Sequence, residues 1–350
     1  MKRVISSFFC LAVSGSTFSQ QESTAALYRP QPFVQASISS SSSEEKQESI
    51  SLFPIVRNKK YGFIDKTGKI VIEPQYEFTW GFTEGLAVVV IDSKWGFIDK
   101  TGKIVIPPQF DEVWDFSEGL AKVKLTNGSK WGYIDKTGKI LIKPQFDDAK
   151  DFSEGLARVK IGSKYGYIDK VGKIAIAIEL NDAYDFSEGL AQVQVDDRVV
   201  FIDKMGKIVI SENFDVAMDF SEGLAAVEID GKMGYIDKTG KFVIPQQFKD
   251  ALEFSEGLAS IKIGDNWGYI DKTGKMVISP QFDETKNFSE GLASVKIGDK
   301  WGYIDKTGKI VISPQFDLGW EFLEGLAAVE IEDLQGYIDK IGKFVWKPTK

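Results

Sequence analysis

Nothing constrains this chain more than its agreement with itself. A segment of the form Tyr/Trp-Gly-Phe/Tyr-Ile-Asp recurs with its glycine at Gly62, Gly96, Gly132, Gly166, Gly234, Gly268, Gly302 and Gly336, and Val200 fills the missing slot. The spacing is 34 residues, apart from one interval of 36 where residues are inserted near Thr126 to Ser129. A second marker, Phe-Ser-Glu-Gly-Leu-Ala in most copies, places Gly85, Gly119, Gly155, Gly189, Gly223, Gly257, Gly291 and Gly325 on the same period. Two markers with one period define a tandem array of nine units over residues 51–350.

Within a unit the pattern predicts three short strands. Ala157, Val159 and Ile161 alternate with Arg158 and Lys160, the period-two signature of a half-buried strand. Gly162-Ser163-Lys164 turns it into Tyr165-Gly166-Tyr167-Ile168-Asp169, and the following Lys-x-Gly-Lys is a hairpin loop whose Gly172 takes positive φ. Ile174 to Ile176 makes the third strand, and about a dozen residues then lead to the next copy, with room for a short fourth strand or a helical turn. The apolar side chains of one unit cannot offset the cost of ordering it, so stacking must complete the core. The expected fold is all-β, nine three-stranded meanders in tandem. With nine whole units and no split unit to close a ring by strand exchange, an open β-solenoid or superhelix is expected in preference to a closed propeller-like ring.

Lys130-Trp131-Gly132-Tyr133-Ile134-Asp135-Lys136-Thr137-Gly138-Lys139, then Pro144-Gln145-Phe146 and Phe152-Ser153-Glu154-Gly155-Leu156-Ala157, closely resembles the WG (KWG) repeat family. The resemblance covers residues 51–350 and implies a bacterial, β-rich tandem array with no general catalytic site and no agreed ligand. The middle departs from the pattern: Val200 replaces Gly, Ile178 and Glu212 replace Pro, and Leu180 replaces an aromatic residue.

The amino terminus reads as a leader. Lys2 and Arg3 precede an apolar stretch from Val4 to Val13, and small residues follow, the layout of a secretory signal peptide over residues 1–19. Cleavage is expected after Ser19, with Gly15 as second choice. Cys10 follows Phe8 and Phe9, unlike a lipoprotein lipidation site, which wants small residues there. Residues 20–50 are polar and Ser-rich and read as a flexible linker. No later stretch reads as a transmembrane helix. The expected address is exported: periplasm, cell surface or extracellular medium.

Composition narrows the chemistry. Histidine is absent and Cys10 is the one cysteine, which excludes Ser-His-Asp triads, Cys-His dyads and Cys/His zinc sites; no metal and no cofactor is expected. A formal net charge of −8 argues against a nucleic-acid groove. Lys-Thr-Gly, as at Lys66-Thr67-Gly68, occurs without the Ser-x-x-Lys and Ser-Asp-Asn partners that make it catalytic, and reads as a turn. The Asp of each Ile-Asp-Lys and the Glu of each Glu-Gly-Leu-Ala could form a glycosidase pair, but they recur in every unit. Their simpler reading is that Asp closes the hairpin and Glu meets a neighbouring Lys. No catalytic residue is assigned, and the chain is not expected to be an enzyme.

Trp95, Trp131, Trp267 and Trp301, each beside its glycine, are expected to fill the interface between units. A column that repetition does not fix, Trp80, Trp114, Lys150, Tyr184, Met218, Leu252, Lys286 and Trp320, is either a contact surface or a surface free to drift. Within it Trp80, Trp114, Tyr184 and Trp320 are the candidate binding residues. Lys122, Arg158, Gln192, Ala226, Ser260, Ser294 and Ala328 read as a solvated face. The expected function is a noncatalytic scaffold that binds a protein in the cell envelope, with carbohydrate binding through exposed aromatics as the alternative. The partner is thus an unidentified protein or an envelope polysaccharide.

Overall fold

The computed structural model describes residues 51–125, 128–195 and 198–348. The leader and linker assigned from sequence lie outside these residues.

Each repeat folds as a meander of antiparallel strands, and the fourth blade is representative. A short strand, Asp148–Ala149, pairs with a long strand, Leu156–Ile161; this pairs with a middle strand, Lys164–Asp169, and that with an outer strand, Ile174–Leu180. Among the described residues eight blades have this four-stranded order, and the first has three strands, spanning Leu52–Arg57, Lys60–Asp65 and Ile70–Tyr76. The dozen-residue connection therefore supplies a short fourth strand, which joins the blade that follows it.

The turn chemistry explains the hairpins. In Ser-Glu-Gly-Leu the Ser and Leu backbones exchange both hydrogen bonds, as Ser153 and Leu156 do at 2.8 and 3.1 Å. The two central residues, Glu154 at φ 53° and Gly155 at φ 88°, make the tight turn whose twist matches the flanking strands. At the hairpin after the middle strand, as in the third blade, Asp135 Oδ1 accepts from the Thr137 N–H, the Thr137 hydroxyl and the Lys139 N–H at 2.6–3.1 Å. This aspartate closes the turn.

Packing between blades buries both faces of the long and middle strands. Ala87, Val88, Val89, Phe63, Ile64 and Ile98 are inaccessible to solvent, so the alternation read as half-buried is covered on both sides. The outer strands are largely exposed, as in Ile104–Phe110, where only Ile106 and Phe110 are buried.

The array closes on itself, which overturns the expected open solenoid. Phe53, Ile55 and Ile64 of the first blade share one core with Trp320, Leu326 and Tyr337 of the ninth. The Phe53 and Tyr337 rings lie 5.5 Å apart, and the Tyr337 hydroxyl donates to the Pro54 carbonyl at 2.9 Å. The result is a nine-bladed β-propeller. No strand exchange is needed because the last-to-first contact is again head to tail, though without a short strand on the first blade, and the ring closes when the rotation per unit is about 40°. At this seam Pro54 fills a distinct role. Its counterparts, such as the Lys122, Arg158 and Gln192 carbonyls, accept backbone N–H groups from a short strand, whereas Pro54 accepts from Tyr337.

Candidate functional site

Equivalent residues of adjacent blades meet just past the short strands, as after Phe78–Thr79 and Glu112–Val113. The Trp80 and Trp114 rings stack at 6.0 Å from neighbouring blades. Asn287 Nδ2 donates to Glu253 Oε1 at 3.0 Å, again between equivalent positions. The variable column is thus the inner edge of the ring. Immediately after it comes a second column, Gly81, Asp115, Asp151, Asp185, Asp219, Glu253, Asn287 and Glu321, which sequence reasoning passed over. Its signal was present as an acidic residue before the Phe of most Phe-Ser-Glu-Gly segments.

The sequence-derived candidates divide by environment. Tyr184 is 42% exposed. Trp80 and Trp114 are half-buried, and Trp80 also packs on Phe78 and Trp95, at 4.5 and 6.0 Å between ring centroids. Trp320 is buried in the seam core and is not presented to a ligand. Among the Trp-Gly tryptophans, Trp131, Trp267 and Trp301 are buried and Trp95 is half-buried. Their glycines meet backbone: a Cβ at Gly132 would stand 2.5 Å from the Ile142 carbonyl oxygen and 2.6 Å from Pro144 N. Val200 is buried in the one blade that lacks this glycine, and nothing in the structure explains how it is accommodated.

The strand positions read as a solvated face are in fact covered by the short strand of the following blade, except Ala328, which packs into the seam core with Phe53 and Ile55 of the first blade. Lys122, Gln192, Ala226, Ser260, Ser294 and Ala328 are buried. Lys122 Nζ donates to the Ala149 carbonyl at 3.1 Å, Arg158 donates to the Ala183 carbonyl, and Ser294 Oγ donates to the Gly319 carbonyl at 3.1 Å. These side chains tie each blade to the next.

Cations stand beside carboxylates and aromatic rings at several places on the inner edge. Lys122 lies 3.8 Å from Asp151 and 4.3 Å from the Trp114 ring centroid, and Arg158 lies 5.9 Å from that of Tyr184. Burial, then the charges of Lys122 and Arg158, pushes the Lys150 ammonium below the usual lysine range. Lys286 is lowered chiefly by burial, against the pull of Glu321 and Glu284. Glu321 is raised by burial, against the pull of Lys286. Among the described residues no group of three or more His, Cys, Asp or Glu side chains is placed to hold a metal ion.

The recurrent carboxylates have structural partners. Glu154 accepts the Gly189 N–H of the next blade at 2.9 Å and pairs with Lys204 at 3.1 Å. The same arrangement recurs from Glu84 with Gly119 and Lys136 to Glu290 with Gly325 and Lys340. Ser153 Oγ adds a bond to the Phe186 carbonyl across the same interface, at 2.7 Å.

These latches account for the fixed letters of the repeat. The model of a family described as WG containing repeat matches residues 61–95, 95–128, 131–165, 165–198, 201–232, 233–267, 267–301 and 301–334. The chain belongs to the WG repeat family. No curated protein matches it. Among solved structures it is similar to the dihydro-heme d1 dehydrogenase NirN, at 13% identity and TM-score 0.45 over 78% of this chain and 76% of that one. It is also similar to a streptogramin B lyase, at 14% identity and TM-score 0.37 over 63% and 90%. A third is Hsv2p of Kluyveromyces lactis, at 10% identity and TM-score 0.39 over 63% and 89%. Likenesses this distant carry no argument about function. In this WG repeat chain the conserved letters hold blades together, and the inner edge is where the letters vary.

Proposed function

We propose that the chain is a noncatalytic, exported binding propeller that holds a protein partner of the cell envelope at the inner edge of its ring. The observation that carries this reading is the placing of Trp80, Trp114 and Tyr184 on that edge. Trp and Tyr are among the residue types that dominate protein interfaces, and here they are flanked by charges able to set register. The recurrent Asp and Glu side chains are engaged in turns and latches, which supports a noncatalytic role. Export rests on the leader pattern of residues 1–19.

The half-buried cluster of Trp80, Trp95 and Trp114 favours a second reading, carbohydrate stacking. The test is retention of the purified chain on bacterial envelope protein and on isolated envelope polysaccharide, beside Tyr184→Ala and Trp114→Ala with their melting temperatures. Capture by protein, weakened about tenfold or more in a variant that melts normally, is expected. Capture by polysaccharide alone, lost in the same variant, overturns the protein reading in favour of the second.

A further inference from the structure

The outer strands are open sheet edges around the rim of the ring, and most are blunted. Proline occupies one position of the strand at Pro74, Pro108, Pro144, Pro280 and Pro314, Pro348 stands at the matching position just past the ninth outer strand, and Pro245 stands one residue earlier in the sixth blade. Proline has no N–H to offer, so it discourages another strand from pairing. The fourth and fifth blades lack it, carrying Ile178 and Glu212 instead.

The fourth blade goes further. Its outer edge reads Lys173-Ile174-Ala175-Ile176-Ala177-Ile178-Glu179, which is symmetric about Ile176 in its apolar residues and opposite in its end charges. Lys173, Ile174, Ala175, Ala177 and Glu179 are exposed, with Ile174 at 53%. The strand terminates its sheet, so among the described residues the backbone groups facing away from the middle strand have no neighbouring strand; its register against the middle strand shifts on both sides of Ile176, so pairing with another strand must straighten or match these bulges. Beside it the turn of the fifth blade exposes Met205 at 86%, and that turn rests on this strand, since a Cβ at Gly206 would come within 3.2 Å of Ile176 Cγ2.

We propose that this edge pairs antiparallel with the same edge of a second copy of the chain, joining two propellers by a continuous sheet. With Ile176 on the two-fold axis, Lys173 lies opposite Glu179 of the second copy and Glu179 opposite its Lys173. Ile174 faces Ile178, and Ala175 faces Ala177. The charge complementarity names the occupant: the strand is its own complement. No other outer strand has this property, because the residue matching Glu179 is uncharged in every one, being Gln75, Gln109, Gln145, Asn213, Gln247, Gln281 and Gln315 in the first to eighth blades other than the fourth. The Ala side chains on the exposed face leave room for close approach, and opposite charges placed directly across strands favour one register over its slipped alternatives.

Sedimentation of the full chain over a range of concentrations reads the association. A monomer–dimer equilibrium is expected for the native sequence. Ile178→Pro restores the residue of six other blades and is expected to leave a folded monomer. Glu179→Lys places like charges opposite each other twice and raises the dissociation constant about tenfold. Lys173→Glu does the same, and the double variant Lys173→Glu/Glu179→Lys recovers the native value, which a merely structural effect of either change would not. A monomer up to the order of 100 µM overturns the proposal and leaves the edge to a foreign strand. A dimer indifferent to Ile178→Pro and to both charge changes overturns it as well.

Discussion

Two glycines of the third repeat and the one after it are equally regular in the sequence and do different things. Gly132 has ordinary backbone angles but no space: its missing Cβ would meet the Ile142 carbonyl and Pro144 N. Gly155 has space, with nothing within 4 Å, but sits at φ 88°. Gly132→Ala is therefore expected to cost about 3 kcal/mol or more, since backbone must move. Gly155→Ala is expected to cost about 1–2 kcal/mol, the strain of a left-handed backbone. Thermal denaturation of the two variants checks the order, and equal losses would refute it. The close approach beside the tryptophan was legible as a kind, because glycine at a fixed strand position signals crowding. Its partner was not, because the crowding comes from a bulge in the outer strand, between Tyr133 and its neighbours, which no local letter announces. The acidic column of Asp115, Asp151 and Asp219 was written in the sequence, ahead of the Phe-Ser-Glu-Gly segments, but repetition made it look like scaffold.

Among elements, the hairpin after each middle strand shows a titratable device. The Asp237 carboxyl is held below the ordinary range first by the Thr239 hydroxyl and then by the backbone N–H groups of Thr239 and Lys241. Its folded pKa is lower than its unfolded one, so the contribution is complete above about pH 4 and disappears as pH falls through the folded value. Thr239→Val removes the leading cause, and Val171 already occupies the same place in the fourth blade. The variant should melt below the native chain at pH 7, and the gap should shrink as pH falls below about 4. A gap that persists in acid would mean that the hydroxyl acts by some other route. The element order of a blade was readable in the sequence because alternation and turn residues are local. The burial of Lys122 and Gln192 was not readable, because the strand that covers them belongs to the next repeat.

At the scale of the whole molecule, closure depends on a small rotation summed over nine units. No residue encodes that sum, and this is why an open array was the natural reading of a sequence without strand exchange. A ring also has no terminal repeat. Ile338→Val in the ninth blade and Ile270→Val in the seventh, both fully buried, should each cost about 0.5–1.5 kcal/mol and leave one unfolding transition. An earlier separate transition in the Ile338 variant alone would indicate fraying from a free end. The seam has a further consequence, in the order of events during synthesis. The bond from Tyr337 to Pro54 spans 283 residues, whereas the side-chain ties described between other blades span 25 to 52. Blade after blade can dock on its predecessor as the chain emerges, yet Phe53 and Ile55 remain uncovered until the ninth blade has been made. Completion of the first core thus waits on the last repeat, and through that interval the newborn chain carries an apolar face for a chaperone to guard.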